Sequence, residues 1–238
     1  MSHLILVRHG QSEWNLQKRF TGWVDIELTA QGKLEACKAG ELIKELNLKI
    51  EYFYSSYQKR AIETLNLILN TIRIKNEMIK KVWELNERHY GALTGLNKDE
   101  MRKIYGEDKI HELRRSWDKP PEPLSKNNPY HPINIEIYND IPREKIPDTE
   151  SLKDTYNRVI PFFENKIVQN LDKNILISAH GNSIRALCKY LFELSNDDIS
   201  KLEIPTGNPL LITFDKNKKI DTVKYLDKSR AKDLLVFN

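Results

Sequence analysis

His9 and His180 each stand at the end of a short apolar run and immediately before a glycine. Leu4-Ile5-Leu6-Val7 leads through Arg8 to His9-Gly10, and the run from Asn174 to Ala179 leads to His180-Gly181. Such runs read as strands buried on both faces, and ligands of open α/β sheets bind beyond the carboxyl ends of their strands. Each glycine is expected to let the backbone come close to a ligand. A neutral imidazole can attack phosphorus when its second nitrogen is held by an acceptor and the charge growing on the phosphoryl oxygens is neutralised. Arg8, Arg60 and a protonated His180 would provide that neutralisation, because guanidinium forks fit phosphate oxygens bidentately. Arg88, Lys98 and the Arg114-Arg115 pair add further positive charge. A carboxyl group must then move the proton of the alcohol that gives or receives the phosphoryl group. Glu84 near the end of a third strand candidate, residues 80–85, and Glu87 just after it are both candidates, and the spacing leaves both open. The competing reading of paired histidines is a metal centre. No carboxylate or histidine stands at ligand spacing around them, so no metal is expected.

The elements that must position these groups alternate strand with helix. Thr29 can cap a helix reaching about Leu48, with Leu34, Ala36, Cys37, Ala39, Leu42 and Ile43 at helical spacing. Tyr52-Phe53-Tyr54-Ser55 is the second strand, and residues 58–73 put Ala61, Leu65, Ile68, Leu69 and Ile72 on one helical face. After two short polar helices, residues 98–105 and 109–117, the stretch 120–147 holds most of the chain's ten prolines and no glycine. It can be neither a helix nor a central strand, and it is expected to be an ordered insertion roofing a site rather than a linker. Thr149-Glu150-Ser151-Leu152 offers a cap for a helix carrying Tyr156, Val159, Ile160, Phe163 and Ile167. Following His180, Ile184, Leu187, Cys188 and Leu191 share a helical face, and residues 210–214 and 222–226 are the last strands. The pattern predicts an α/β fold: one domain over 1–238, a mostly parallel central sheet with helices on both faces, an insertion at about 118–148 and a tail at about 227–238.

Composition narrows the function classes. Of 238 residues, 39% are hydrophobic and 30% charged, a folded rather than a disordered balance. The net charge of +4 is too small to make the chain a nucleic-acid binder on bulk charge. Cys37 and Cys188 form no paired-thiol motif and read as reduced thiols. The apolar run before Arg8 is too short for a signal peptide, and no stretch of about 18 apolar residues could cross a bilayer. A cytoplasmic protein with no membrane or nucleic-acid partner is expected.

Leu6-Val7-Arg8-His9-Gly10-Gln11-Ser12-Glu13-Trp14-Asn15 resembles the histidine phosphatase superfamily, whose signature is Arg-His-Gly. Phe20-Thr21-Gly22-Trp23-Val24-Asp25, Leu28-Thr29 with Gly32, the segment from Glu84 to Lys98, and Arg114-Arg115-Ser116-Trp117-Asp118 are similar to the cofactor-dependent phosphoglycerate mutases. Glu150-Ser151-Leu152-Lys153-Asp154-Thr155, Ala179-His180-Gly181-Asn182-Ser183 and Ile204-Pro205-Thr206-Gly207 follow the same family in the same order. The resemblance covers the chain to about Leu226. It implies interconversion of 3-phosphoglycerate and 2-phosphoglycerate, an enzyme primed by 2,3-bisphosphoglycerate, and a homodimer or homotetramer. It places the phosphorylated nucleophile on His9, with Arg8, Asn15, Arg60 and His180 around the phosphoryl group, and proton transfer on Glu87 rather than Glu84. Ser12, Thr21, Gly22, Arg88, Tyr90, Lys98, Arg114, Arg115, Gly181 and Asn182 are implied to contact the phosphoglycerate.

A phosphatase hydrolysing the same phosphohistidine is the nearest rival, and a phosphate-recognising interaction module is the rival from another class. The tail departs from the family, lacking its Gly- and Lys-rich ending. Its apolar cluster Leu234, Leu235, Val236 and Phe237 is expected to dock, either as a lid near His9 or on the body away from it.

Overall fold

The computed structural model describes residues 1–75 and 78–231. The chain runs β1 (Ser2–Arg8), α1 (Glu13–Leu16), α2 (Ala30–Glu45), β2 (Tyr52–Ser55), α3 (Lys59–Thr71) and β3 (Lys80–Lys81). It continues through α4 (Lys98–Tyr105), α5 (Glu107–Arg115), α6 (Leu152–Phe162), β4 (Ile175–Ala179), α7 (Gly181–Leu191), α8 (Asn196–Lys201), β5 (Leu210–Phe214) and β6 (Ile220–Tyr225). The strands form one sheet in the order β3-β2-β4-β1-β5-β6. Pairing is parallel from β3 to β1 and antiparallel for β1 with β5 and β5 with β6.

Both faces of this sheet are covered, which is why the central strands read as unbroken apolar runs. Leu4, Leu6, Ile175, Ile177 and Ile212 cluster with Val159 and Phe163 of the α6 region and with Ile184 and Leu187 of α7. Ile5, Val7, Phe53 and Leu176 cluster on the other face with Ala39 and Ile43 of α2 and Leu65 and Ile68 of α3. The chain therefore leaves β1 toward one face and the neighbouring β4 toward the other. A crevice opens between parallel strands at that kind of divergence, at their carboxyl ends. Arg8 pairs with Ala179 in the register, so His9 and His180 each lie one step past the sheet's edge.

Three expectations are corrected. The third strand extends only over Lys80–Lys81; Val82 donates to the Ser55 carbonyl, and Trp83–Leu85 then curls into a 3-10 turn. The insertion is ordered, but none of its residues lines the cavity described below. Its apolar groups are drawn elsewhere: Tyr138 packs on Trp23 with ring centroids 4.9 Å apart and donates to the Trp23 carbonyl at 2.5 Å. α6 runs through Pro161 to Phe162, and the π turn Phe163–Ile167 then continues the predicted helix in wider form.

Residues 227–231 of the expected tail carry a short 3-10 turn at Lys228–Arg230, and Arg230 donates to the Thr206 carbonyl at 2.7 Å. Leu234, Leu235, Val236 and Phe237 lie outside the described residues. No helix among the described residues is long and apolar enough to cross a membrane.

Candidate active site

His9 opens the site. Its amide donates to the Ala179 carbonyl at 3.0 Å, which ties the loop after β1 to the end of β4. Its Nδ1 lies 2.7 Å from the Gly10 carbonyl, an oxygen that can only accept, so Nδ1 carries the proton and Nε2 keeps its lone pair. Arg60 Nε donates toward that lone pair at 3.3 Å. The rest of the Arg60 fork is committed: Nη1 donates to the Val24 carbonyl and Nη2 to the Gly22 carbonyl, both at 2.9 Å. Burial, then Arg60 and Arg8, hold the His9 imidazole well below its ordinary value, so it is neutral at physiological pH.

Gly10 has a structural reason of its own. A Cβ there would meet the Gly32 carbonyl oxygen at 2.1 Å, because α2 crosses directly behind the His9 loop. The glycine serves the packing of helix on loop, where the sequence reading assigned it to the approach of a ligand. Gly22 has φ +56, the left-handed region that glycine adopts without strain, and so turns its carbonyl onto Arg60 and Gln58.

His180 meets His9 edge-on, with ring centroids 4.9 Å apart and planes at 61°. Its Nε2 is 2.7 Å from Ser56 Oγ, and its Nδ1 is buried without a hydrogen-bond partner among the described residues. The sequence reading gave His180 a positive charge. The structure holds it neutral instead: full burial, then Arg60 and His9, push its value well below 6.5.

Glu87 enters from the loop after the 3-10 turn. Gln58 Oε1 accepts from its amide at 2.9 Å, and Arg158 Nη2 donates to its carbonyl at 3.0 Å. The residue is 8% exposed and lines the same cavity as His9. Glu84 instead faces a separate groove with Tyr57, Trp83 and Lys166, so geometry independently favours Glu87 of the two carboxyl groups.

Around this pair the cavity wall brings together Arg8, Asn15, Thr21, Arg60, Tyr90, Lys98, Arg114, Arg115, Gly181 and Asn182. Of the other residues named from the sequence, Ser12 is buried as the cap of α1, Gly22 acts through its carbonyl, and Arg88 is buried with its Nη2 on the Leu113 and Arg114 carbonyls. These three stand behind the wall, as does His180. Burial and neighbouring cations lower Lys98, and burial lowers Arg114. Arg8 Nε and Thr21 Oγ1 are buried at the wall with no hydrogen-bond partner among the described residues. Unpartnered buried donors beside crowded positive charge fit an anion with several oxygens, as phosphate and carboxylate groups are.

Several residues of this arrangement carry no site role in the sequence analysis, Ile204 and Glu150 standing there only within motifs. Arg185, Glu203 and Ile204 also line the cavity, and Arg115 is paired with Glu203. The pair of buried Glu150 and half-buried Arg158, 2.7 Å apart, holds the Glu87 loop: Arg158 donates to the Glu84 and Glu87 carbonyls, and Glu150 accepts from the His89 amide. Arg158 left one signal, a charged residue directly before the apolar pair Val159-Ile160. Gln58 and Arg185 left none.

The sequence profile of the Histidine phosphatase superfamily (branch 1) matches residues 4–131 and 125–225. A 2,3-bisphosphoglycerate-dependent phosphoglycerate mutase of Pelagibacter ubique is 69% identical over the full length of both chains. The chain belongs to this family of mutases. A member from Hydrogenobaculum is 48% identical over 95% of this chain and 92% of its own. Among solved structures, a mycobacterial glucosyl-3-phosphoglycerate phosphatase matches 94% of this chain and 97% of its own with a TM-score of 0.68 and 20% identity, a likeness of fold.

Proposed function

We propose that this member of the family interconverts 3-phosphoglycerate and 2-phosphoglycerate through a phosphoryl group carried on His9. The observation that carries the reading is Nε2 of His9, left with its lone pair by the Nδ1 contact to Gly10, in a wall that also holds Glu87 and a crowd of cations. 2,3-bisphosphoglycerate supplies the phosphoryl group that primes His9, and the unpartnered donors Arg8 Nε and Thr21 Oγ1 fit its oxygens.

Nε2 attacks phosphorus; the bond from phosphorus to the alcohol oxygen breaks, and Glu87 gives that oxygen its proton. In the transfer to substrate Glu87 takes the proton of the free hydroxyl of 3-phosphoglycerate as its oxygen attacks the phosphoryl group on Nε2, which forms 2,3-bisphosphoglycerate and releases the histidine neutral; the first step, repeated on the 3-phosphate, leaves 2-phosphoglycerate and restores the phosphohistidine. Arg8 and Arg60 meet the charge that develops on the equatorial oxygens. Lys98, Arg114 and Arg115 hold the remaining phosphate and carboxylate, and Asn15, Thr21, Tyr90, Gly181 and Asn182 orient them. Ser12, Gly22 and Arg88 support these groups from behind. A phosphatase acting through the same phosphohistidine is disfavoured by the full-length likeness to mutases. A cytoplasmic homodimer or homotetramer belongs to the same proposal.

Incubation with 2,3-bisphosphoglycerate should place one acid-labile phosphoryl group on His9, located by mass spectrometry. A phosphoryl group on serine, or an active His9→Ala enzyme, would sink the mechanism.

A further inference from the structure

Arg185 lies on the second turn of α7 and is 3% exposed. Its Nη1 donates to Asn182 Oδ1 at 2.9 Å, and its Nη2 donates to the Ile199 carbonyl of α8. A guanidinium has no acceptor atom, so this contact settles which way the Asn182 amide faces: Oδ1 toward Arg185, Nδ2 away. Nδ2 then donates to Glu87 Oε1 at 2.9 Å. The Arg88 amide, at 2.8 Å, and the Asn182 amide, at 3.2 Å, donate to the same oxygen. Oε1 thus receives three N–H groups, while Oε2 accepts none from the described residues. The two oxygens of one carboxylate are made unequal, one an anchor and the other free to exchange a proton.

We propose that Arg185 is a positioning residue for proton transfer: acting through Asn182, it pins Oε1 of Glu87 and leaves Oε2 as the oxygen that gives and takes the proton. The inference rests on the reading of Glu87 as acid and base. Without Arg185 the Asn182 amide can turn over, and Oδ1 then opposes Oε1, acceptor against acceptor. Glu87 keeps its charge and loses its aim. The bond to Ile199 holds the guanidinium back on α8, so that it serves Asn182.

The test compares Arg185→Met, Arg185→Lys, Asn182→Ala and the combined Arg185→Met/Asn182→Ala enzyme in steady-state turnover of 3-phosphoglycerate with 2,3-bisphosphoglycerate present. Arg185→Met should lower kcat by roughly tenfold or more, a part of the ~10²- to 10⁴-fold that general acid–base catalysis supplies, and shift KM less than about threefold. Arg185→Lys, which keeps a donor, should recover part of kcat. The combined enzyme should be no slower than the slower single variant, because both changes break one relay. Full kcat in Arg185→Met, a change confined to KM, or losses that multiply would each overturn the proposal. Should Arg185→Met fail to fold, Arg185→Lys decides: placed on Asn182→Ala it must cost nothing further. Absence of wild-type turnover would overturn the mutase reading itself, whereas normal wild-type turnover with an unaffected Arg185 variant would overturn this inference alone.

Discussion

Arg60 Nε points at Nε2 of His9 from 3.3 Å, while the same guanidinium is fixed by the Gly22 and Val24 carbonyls. The proposed nucleophile and this guanidinium are therefore locked together before any substrate arrives. A lysine cannot reproduce that arrangement, because its single ammonium cannot hold two carbonyls and still face the imidazole. Arg60→Lys should lower turnover by roughly 10²- to 10³-fold, the range for removing one preorganised donor from developing charge. Single-turnover phosphorylation of His9 measures it. Near-normal phosphorylation would mean that Arg8 suffices.

Glu87 and Glu84 make a matched pair of controls, three residues apart and facing different surfaces. Glu87→Gln preserves shape and abolishes proton transfer, so turnover should fall by roughly 10²- to 10⁴-fold. Binding of phosphoglycerate, followed by calorimetry, should change little. Glu84→Gln should leave turnover within about twofold of wild type. The reverse pattern would move the acid and base to the outer groove.

How much of this was legible in the chain depends on which force set each element. Tyr52–Ser55 and Lys98–Tyr105 stand where the sequence placed them, one because a doubly buried strand must be apolar, the other because Asn97 caps it. The third strand was overextended because Val82 and Leu85 are apolar in either state, and only the edge pairing to Ser55 decides where the strand stops. α8 went unread: six residues with Ile199 alone buried show no period. At the site, His9, His180 and Arg8 were legible as strand ends. The charge of His180 was not, since it depends on burial and on cations from distant parts of the chain. Arg185 and Arg158 act through carbonyls and amides, contacts that residue types do not announce.

Three buried histidines tie stability to acid. His9 and His180 are held well below 6.5 by burial and cations, and burial with His131 lowers His89 to about 3. Above about pH 6.5 all three are neutral in the folded and unfolded chain alike, and stability is at its full value. As pH falls below 6.5 the unfolded chain takes up protons that the folded chain refuses, so stability drops. The slope can reach about 4 kcal/mol per pH unit if all three titrate together. Urea midpoints at pH 7 and pH 5 should show the loss. A flat midpoint would mean that the imidazoles are protonated in place.

Charge neutralisation by side chains has a consequence for metals. A phosphoglycerate brings a phosphate of about −1.5 to −2 and a carboxylate, and the wall offers Arg8, Arg60, Lys98, Arg114 and Arg115. Guanidinium forks match phosphate and carboxylate oxygens bidentately and can meet that charge without an ion. Turnover should therefore survive exhaustive treatment with a chelator, and vanadate, which can take a phosphoryl group's place near His9, should inhibit. Turnover lost to chelator and restored by a divalent ion would assign the Lewis-acid role to a metal. Arg8 and Arg60 would then be left to bind substrate only, and their substitution would raise KM without lowering kcat.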